Sequence, residues 1–357
     1  MTKISAKIIA DSRNEFGNRI TTMVVTFPRY ILAELNTHRM MSKNSASSRA
    51  IPFEKLMLSV TTNPFIPIAW MKDHKGMQGT EYFEEVPMIQ ELERQWLQSR
   101  SDAVSRAVDL SHKGLTKQLI NRIMEPFMWH TVIITATEYS NFFALRCPKY
   151  IFHDHNGDDK EYQFRSRKDV IKHFGENETV DYSDENKVAF KDLSELDWLK
   201  LNKGQADIHM MTLAEAMYDA YQESTPKELK AGEWHIPFGD NLEDSKIFAA
   251  FENPSFVGDD SDIQKLKIKI ATARCARISY TVVGEEGKPA NYENDLKLHD
   301  RLAESGHWSP FEHCARAMNK DEMFVVDNFV TDFDGVSGNF RGFTQYRKSF
   351  NNENITK

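Results

Sequence analysis

The densest polar chemistry in the chain lies in one stretch, Thr37-His38-Arg39-Met40-Met41-Ser42-Lys43-Asn44-Ser45-Ala46-Ser47-Ser48-Arg49. Serine and asparagine at a helix end satisfy free backbone groups, so capping is one reading of this text. Capping needs one or two such residues, and it does not require His38, Arg39, Lys43 and Arg49 within the same dozen positions. Hydroxyls, an amide and planar guanidinium forks together suit the recognition of phosphate and ribose. On residue chemistry alone, a capped turn and an anionic nucleotide site both remain open.

Other groups carry less. Cys147, Cys275 and Cys314 lie far apart and form no CxxC pair, so each reads as a small buried apolar residue. Cys147 beside Arg146 stays open as a reactive thiol. His153-Asp154-His155 with Asp158 and Asp159 has metal-capable side chains, yet the surrounding text is hydrophilic and reads as a solvated loop. No GxGxxG follows a strand, which leaves a Rossmann mode of dinucleotide binding unsupported. The net charge of −8 disfavours a broad nucleic-acid surface but not a phosphorylated ligand held by a few arginines.

These residues need a scaffold. With 357 residues, 40% hydrophobic and 27% charged, the chain suits two packed units. It shows no membrane-spanning run and no secretory leader, so a cytoplasmic location is expected. Lys7–Ala10 and Ile20–Phe27 alternate and are joined by polar residues with Gly17, predicting a hairpin. Pro28 opens a predicted helix through Arg39. Helices are predicted near Met88–Asp109 and Leu115–Met124, while Met128–Tyr139 fits either a strand or a buried helix. Residues 148–203 read as a polar insertion after which a helix spans Asp207–Glu223, and 224–262 as a linker. Its Gly232–Asp240 text suits a lid or interface loop. Helices near 263–275 and 293–305, strand text at 322–330 and a last helix near 337–349 complete the chain. The domains are therefore 1–223, the linker, and 263–357.

The 37–49 stretch resembles the signature of flavin-dependent thymidylate synthases, R-H-R-x-x-S-x-N-x-x-S-x-R. His38, Arg39, Ser42, Asn44, Ser47 and Arg49 match it, and Thr37 replaces its first arginine. Asn121–Pro126 resembles the family's Arg-x-x-Leu-Pro segment through Arg122. Asn141–Arg146 resembles its Asn-x-x-x-Leu-Arg segment. Gly204–His209 resembles Ala-Gln-x-Glu-Ile-Arg, with His209 in place of the arginine. Two segments that the family places before the signature occur here more than 200 residues after it: Cys275–Ser279, resembling Ala-Ala-Arg-x-Ser, and Gly306-His307-Trp308-Ser309-Pro310-Phe311-Glu312-His313. Arg341–Arg347 through Asn352-Glu353 resembles a degraded second signature. The order implies a permuted or duplicated arrangement.

The resemblance implies an α+β fold, a helical core with an antiparallel sheet, and a homo-oligomer (dimer or tetramer). It implies transfer of a one-carbon unit from methylenetetrahydrofolate to C5 of dUMP, with FAD as cofactor and NADPH as electron source. His38, Arg39, Asn44, Arg146, Ser279, His307, Ser309 and Glu312 are the implied cofactor-binding residues. Ser47, Ser48, Arg49, Arg122 and His209 are the implied substrate-binding residues, with Arg122 and Ser47 catalytic. No metal is implied. The departures at Thr37 and His209, and at Ser45 where many family members carry glutamate, keep open C5 methylation or hydroxymethylation of another pyrimidine nucleotide, such as UMP or dCMP. A non-catalytic flavin- or nucleotide-binding relative is the alternative of a different class.

Overall fold

The computed structural model describes residues 2–76, 79–154, 160–183, 186–250, 260–282, 291–326, 329–332 and 339–353. Helices and antiparallel sheets are mixed along the chain, giving an α+β protein. The central sheet has the order β3-β4-β2-β1-β9. Its hairpin, β1 (Ser5–Asn14) and β2 (Arg19–Pro28), turns where Asn14 accepts the amides of Phe16 and Asn18, and Gly17 takes a φ of +83°. The predicted helix after Pro28 is short: a 3-10 turn, Arg29–Ile31, then α1 (Leu32–Leu35). Thr37 ends it by donating its hydroxyl to the Glu34 carbonyl at 2.7 Å, so the capping reading of the polar stretch holds at its first residue. The rest runs into β3 (Ser42–Ser45), an edge strand on β4 (Trp129–Ala136). Residues 128–139, open in sequence between strand and helix, thus give a strand. It is buried throughout, which erases the alternation that would have identified it.

Between β3 and β4 come α2 (Phe53–Thr62), α3 (Val86–His112) and α4 (Lys117–Ile123). They pack a second core around Ile51, Leu56, Ile120 and Met124. Helix α5 (Ser140–Arg146) follows β4. Met23, Val25 and Phe27 of β2 and Val132 and Ile134 of β4 face α8 (Ile208–Glu223), while Val24 and Ile133 face the opposite layer. This period-two division is what an antiparallel strand covered on both faces requires.

Residues 148–203 are more than a solvated loop. Hairpins β5–β6 (Tyr150–Asp154, Lys160–Phe164) and β7–β8 (Thr179–Ser183, Asn186–Ala189) accompany α6 (Arg167–Phe174) and α7 (Glu195–Leu201). Tyr150, Val170, Phe190 and Trp198 form a separate aromatic core. His153 and Asp154 lie on β5. His155, Asp158 and Asp159 fall outside the described residues, among which no metal-capable cluster occurs.

The predicted linker is also structured. Strand β9 (Lys227–Leu229) adds parallel to β1, and β10 (Trp234–His235) starts a second sheet, β10-β11-β14. After α9 (Asp244–Ala250), the central helix α10 (Asp260–Arg277) is lined by buried Ala271, Ala273 and Ala276, small enough to allow close packing. Helix α11 (Tyr292–Ser305) pairs with it, where buried Asp295 holds Arg274 and Arg277 at 3.3 and 2.6 Å. Strands β11 (Ala315–Ala317), β12 (Met323–Val326), β13 (Phe329–Asp332) and β14 (Phe343–Gln345) follow. The helix predicted at 337–349 begins outside the described residues; from 343 on, the segment is instead β14 and a 3-10 turn, because Phe343 and Gln345 complete the second sheet. Among the described residues no helix is long and apolar enough to cross a membrane.

Candidate functional site

The segments separated in sequence come together at β3. Asn44, buried on that strand, donates its Nδ2 to the Cys275 carbonyl at 2.6 Å and accepts the Ser309 hydroxyl at 3.3 Å. One turn along, the Ser47 amide donates to the Ser279 carbonyl at 3.1 Å. A single strand of the 37–49 stretch therefore touches both segments that resemble the family's opening motifs. Ser42 and Gln345 close the other side: the Gln345 amide donates to the Ser42 hydroxyl at 3.2 Å and to Asn339 at 2.6 Å. Asn339 in turn donates to the Met40 carbonyl.

Between these two strands lies a cavity of about 360 Å³, lined by Arg39, Ser42 and Lys43 from one end of the chain and by Glu312, Gln345, Arg347 and Lys348 from the other. Lys43 donates to the His38 carbonyl at 2.6 Å, and burial pulls its ammonium down to about 8. Arg347 bonds Glu312 at 2.7 Å and Glu353 at 2.7 Å, and Lys348 also reaches Glu353. Arg39 is exposed and has no ion pair among the described residues. At the back, the Arg146 Nε donates to the His38 Nε2 at 3.1 Å, and Phe142 meets the His38 ring edge to face. Burial, then Arg146, then Lys43 lower the basicity of His38, so its imidazole is held neutral.

Behind the sheet runs a buried polar chain. Ser12 bonds His235 Nδ1, His235 Nε2 meets Thr22, Thr22 meets Thr135, and Thr135 meets His313 Nδ1, all within 2.9 Å. Burial drops both histidines to about 3, so they are neutral, and His313 acts as a structural hydrogen bonder. The expected lid loop at 232–240 is thus anchored by His235 at the heart of the fold. Thr22 and Thr135, buried on β2 and β4, were the available signal, without a partner until the tertiary structure supplied His235.

Several implied site residues lie elsewhere. Ser48 is buried and gives its hydroxyl to Glu125 at 2.6 Å, so it stitches the turn rather than facing the cavity. Arg49 is exposed on the same turn. Arg122 is exposed at the end of α4 and folds back onto the Gln118 carbonyl. His307 is exposed and bonds Ser305. His209 departs furthest from the expectation. It is buried behind Tyr30 and Phe65, with Nδ1 against Tyr30 and Asp207 and Nε2 accepting the Ile68 amide, so both ring nitrogens are already used. The three cysteines are buried, and burial raises every thiol, Cys314 to about 12. None is an available nucleophile in this conformation.

Together these features define an α+β protein with a basic cavity assembled from both ends of its chain. The structure of a UMP/dUMP methylase PolB from Streptomyces cacaoi bound with 5-Br dUMP is similar over 62% of this chain and 91% of its own, at 11% identity and a TM-score of 0.40. The same methylase bound with 5-Br UMP is similar over 41% of this chain and 78% of its own, at 14% identity and a TM-score of 0.34. No protein-family model and no curated protein matches the chain.

Proposed function

We propose that the protein is a flavin-dependent pyrimidine-nucleotide C5-alkylating enzyme, with dUMP as substrate and methylenetetrahydrofolate as carbon donor. The observation that carries this reading is Asn44. This matched asparagine of the signature binds the Cys275 carbonyl and the Ser309 hydroxyl, one from each displaced motif. A chance likeness in three short segments gives no reason for them to meet at one side chain.

The donor set fits the phosphate end of a dinucleotide cofactor: two guanidinium groups, two ammonium groups and two carboxamides line one cavity. Arg39 would hold this group, with neutral His38 and Arg146 behind it and Ser309 and Glu312 at the rim. A reduced flavin held there would supply the hydride that the alkylation requires, and NADPH would restore it. The chain's own work is to orient and to neutralise charge. The buried thiols leave activation of C5 to charge stabilisation rather than thiol addition. Ser47 and Arg49, on the neighbouring turn, are the proposed nucleotide-phosphate ligands. Arg122 reaches a nucleotide only after leaving Gln118, or across a subunit contact in the proposed homo-oligomer.

The burial of His209 favours a second reading, in which the nucleotide is another pyrimidine such as UMP or dCMP, because the position where the family carries an arginine contact is withdrawn here. Anaerobic incubation of photoreduced protein with FAD, dUMP and methylenetetrahydrofolate, read by mass spectrometry of the nucleotide, tests both. Formation of dTMP is expected. Unchanged dUMP beside alkylated UMP or dCMP selects the second reading, and no product from any of them overturns the enzyme assignment.

A further inference from the structure

The cavity has more positive charge than its own carboxylates balance. Arg39, Lys43, Arg347 and Lys348 face Glu312 and Glu353, leaving two positive charges uncompensated. Two of the four cations come from the C-terminal segment, outside the residues that the family resemblance implies for nucleotide or cofactor. Arg347 is held in place on two sides: its Nη1 donates to Glu312 at 2.7 Å and its Nε to Glu353 at 2.7 Å. Fixing a planar guanidinium in advance removes part of the ordering cost of binding a tetrahedral anion. Gln345, oriented by Asn339 at 2.6 Å, adds a neutral donor group to the same wall.

We infer that the cavity is a phosphoryl-binding site in which Arg347 and Lys348 are direct ligands of the anion, opposite Arg39 and Lys43, and Glu353 is the positioning residue for both. The chemistry recognised is a phosphate group, or linked pair, carrying about two negative charges. A nucleoside monophosphate and the diphosphate of a dinucleotide both meet that description. The inference deepens the proposed function by naming the ligands of one end of its site, but its test needs no turnover.

The experiment is calorimetric titration of the full chain with two probes, dUMP for the monoester and ADP-ribose for the diphosphate without flavin. At least one binds, and that probe identifies the source of the phosphate. R347Q and K348Q each weaken it about tenfold or more and flatten its dependence on salt, because a removed cation no longer takes part in screened attraction. R347K recovers part of the affinity. A merely structural role for Arg347 moves the melting temperature and leaves the salt dependence unchanged. If R347Q does not fold, K348Q and R39Q carry the same reading. Absence of binding by both probes, or variants that bind as tightly as the parent with the same salt dependence, overturns the inference. Failure of dUMP turnover with ADP-ribose binding intact removes the proposed reaction and leaves the phosphoryl site standing.

Discussion

Replacing Asn44 by aspartate changes one atom of a side chain on which three distant segments depend. The Nδ2 that lies 2.6 Å from the Cys275 carbonyl becomes an oxygen, while the Oδ1 that accepts from Ser309 is retained. An ionised carboxylate then opposes a carbonyl in a buried site. Losing the bond and leaving that carbonyl unsatisfied costs about 2–4 kcal/mol. Protonation of the new carboxyl restores a donor, so its folded pKa lies above its unfolded value. The stabilised, protonated form is present at low pH and is lost as pH rises through that raised pKa. Asn44→Ala lacks the titration and costs about 1–3 kcal/mol at every pH. The assay is denaturant unfolding of both variants at pH 5 and pH 8, with hydrogen exchange over residues 270–279 to localise the loss. The difference between the two variants isolates the new carboxyl from other titrations. An Asn44→Asp protein within 0.5 kcal/mol of the parent at pH 8, or a variant difference identical at both pH values, would refute the junction.

Lys43, at about 8, predicts that anion binding weakens above pH 8 as the ammonium deprotonates, and that binding near that pH takes up a proton. Calorimetry in two buffers of different ionisation enthalpy measures it, and Lys43→Gln abolishes the uptake. His235 and His313, neutral down to about 3, predict stability that is full above the ordinary histidine range and falls as pH drops through the interval from about 6.5 to 3. Thr135→Val, which breaks their chain, costs about 1–3 kcal/mol in the urea midpoint. Trp198→Ala removes an aromatic from the 148–203 core and costs about 3–5 kcal/mol there, with hydrogen exchange rising in α6 and α7 before β2 and β4. Cys147→Ala retains turnover in the proposed reaction, and a dead but folded variant would restore the thiol route.

What could be read from the chain beforehand followed local rules. The β1–β2 hairpin was legible because alternation and Gly17 act over a few residues, and α3 and α11 because their length carries periodicity. The 337–349 segment was misread as a helix because its structure is decided by pairing of Phe343 and Gln345 with β11, a partner that sequence does not display. The linker and insertion looked solvated because their polar text is continuous. Yet Tyr150, Phe190 and Trp198 are spread through one, and β9 and β10 through the other. At the site, the cluster at 37–49 identified itself by composition. Gln345 and Lys348 fell within the degraded second signature, whereas the contribution of Asn339 had no local mark, and the withdrawal of His209 depends on Tyr30 and Ile68, far away along the chain.

The contact between Ser42 and Gln345 joins residues 303 positions apart. On a ribosome adding roughly 5–20 residues per second, its first half waits about 15–60 s for its second. During that interval Arg39 and Lys43 have no opposing wall, and a ligand of the proposed phosphoryl site would meet only half of it. Synthesis thus enforces an order of events: the chain commits to its fold before it can hold ligand, and ligand cannot serve as a template for the early folding of its N-terminal half.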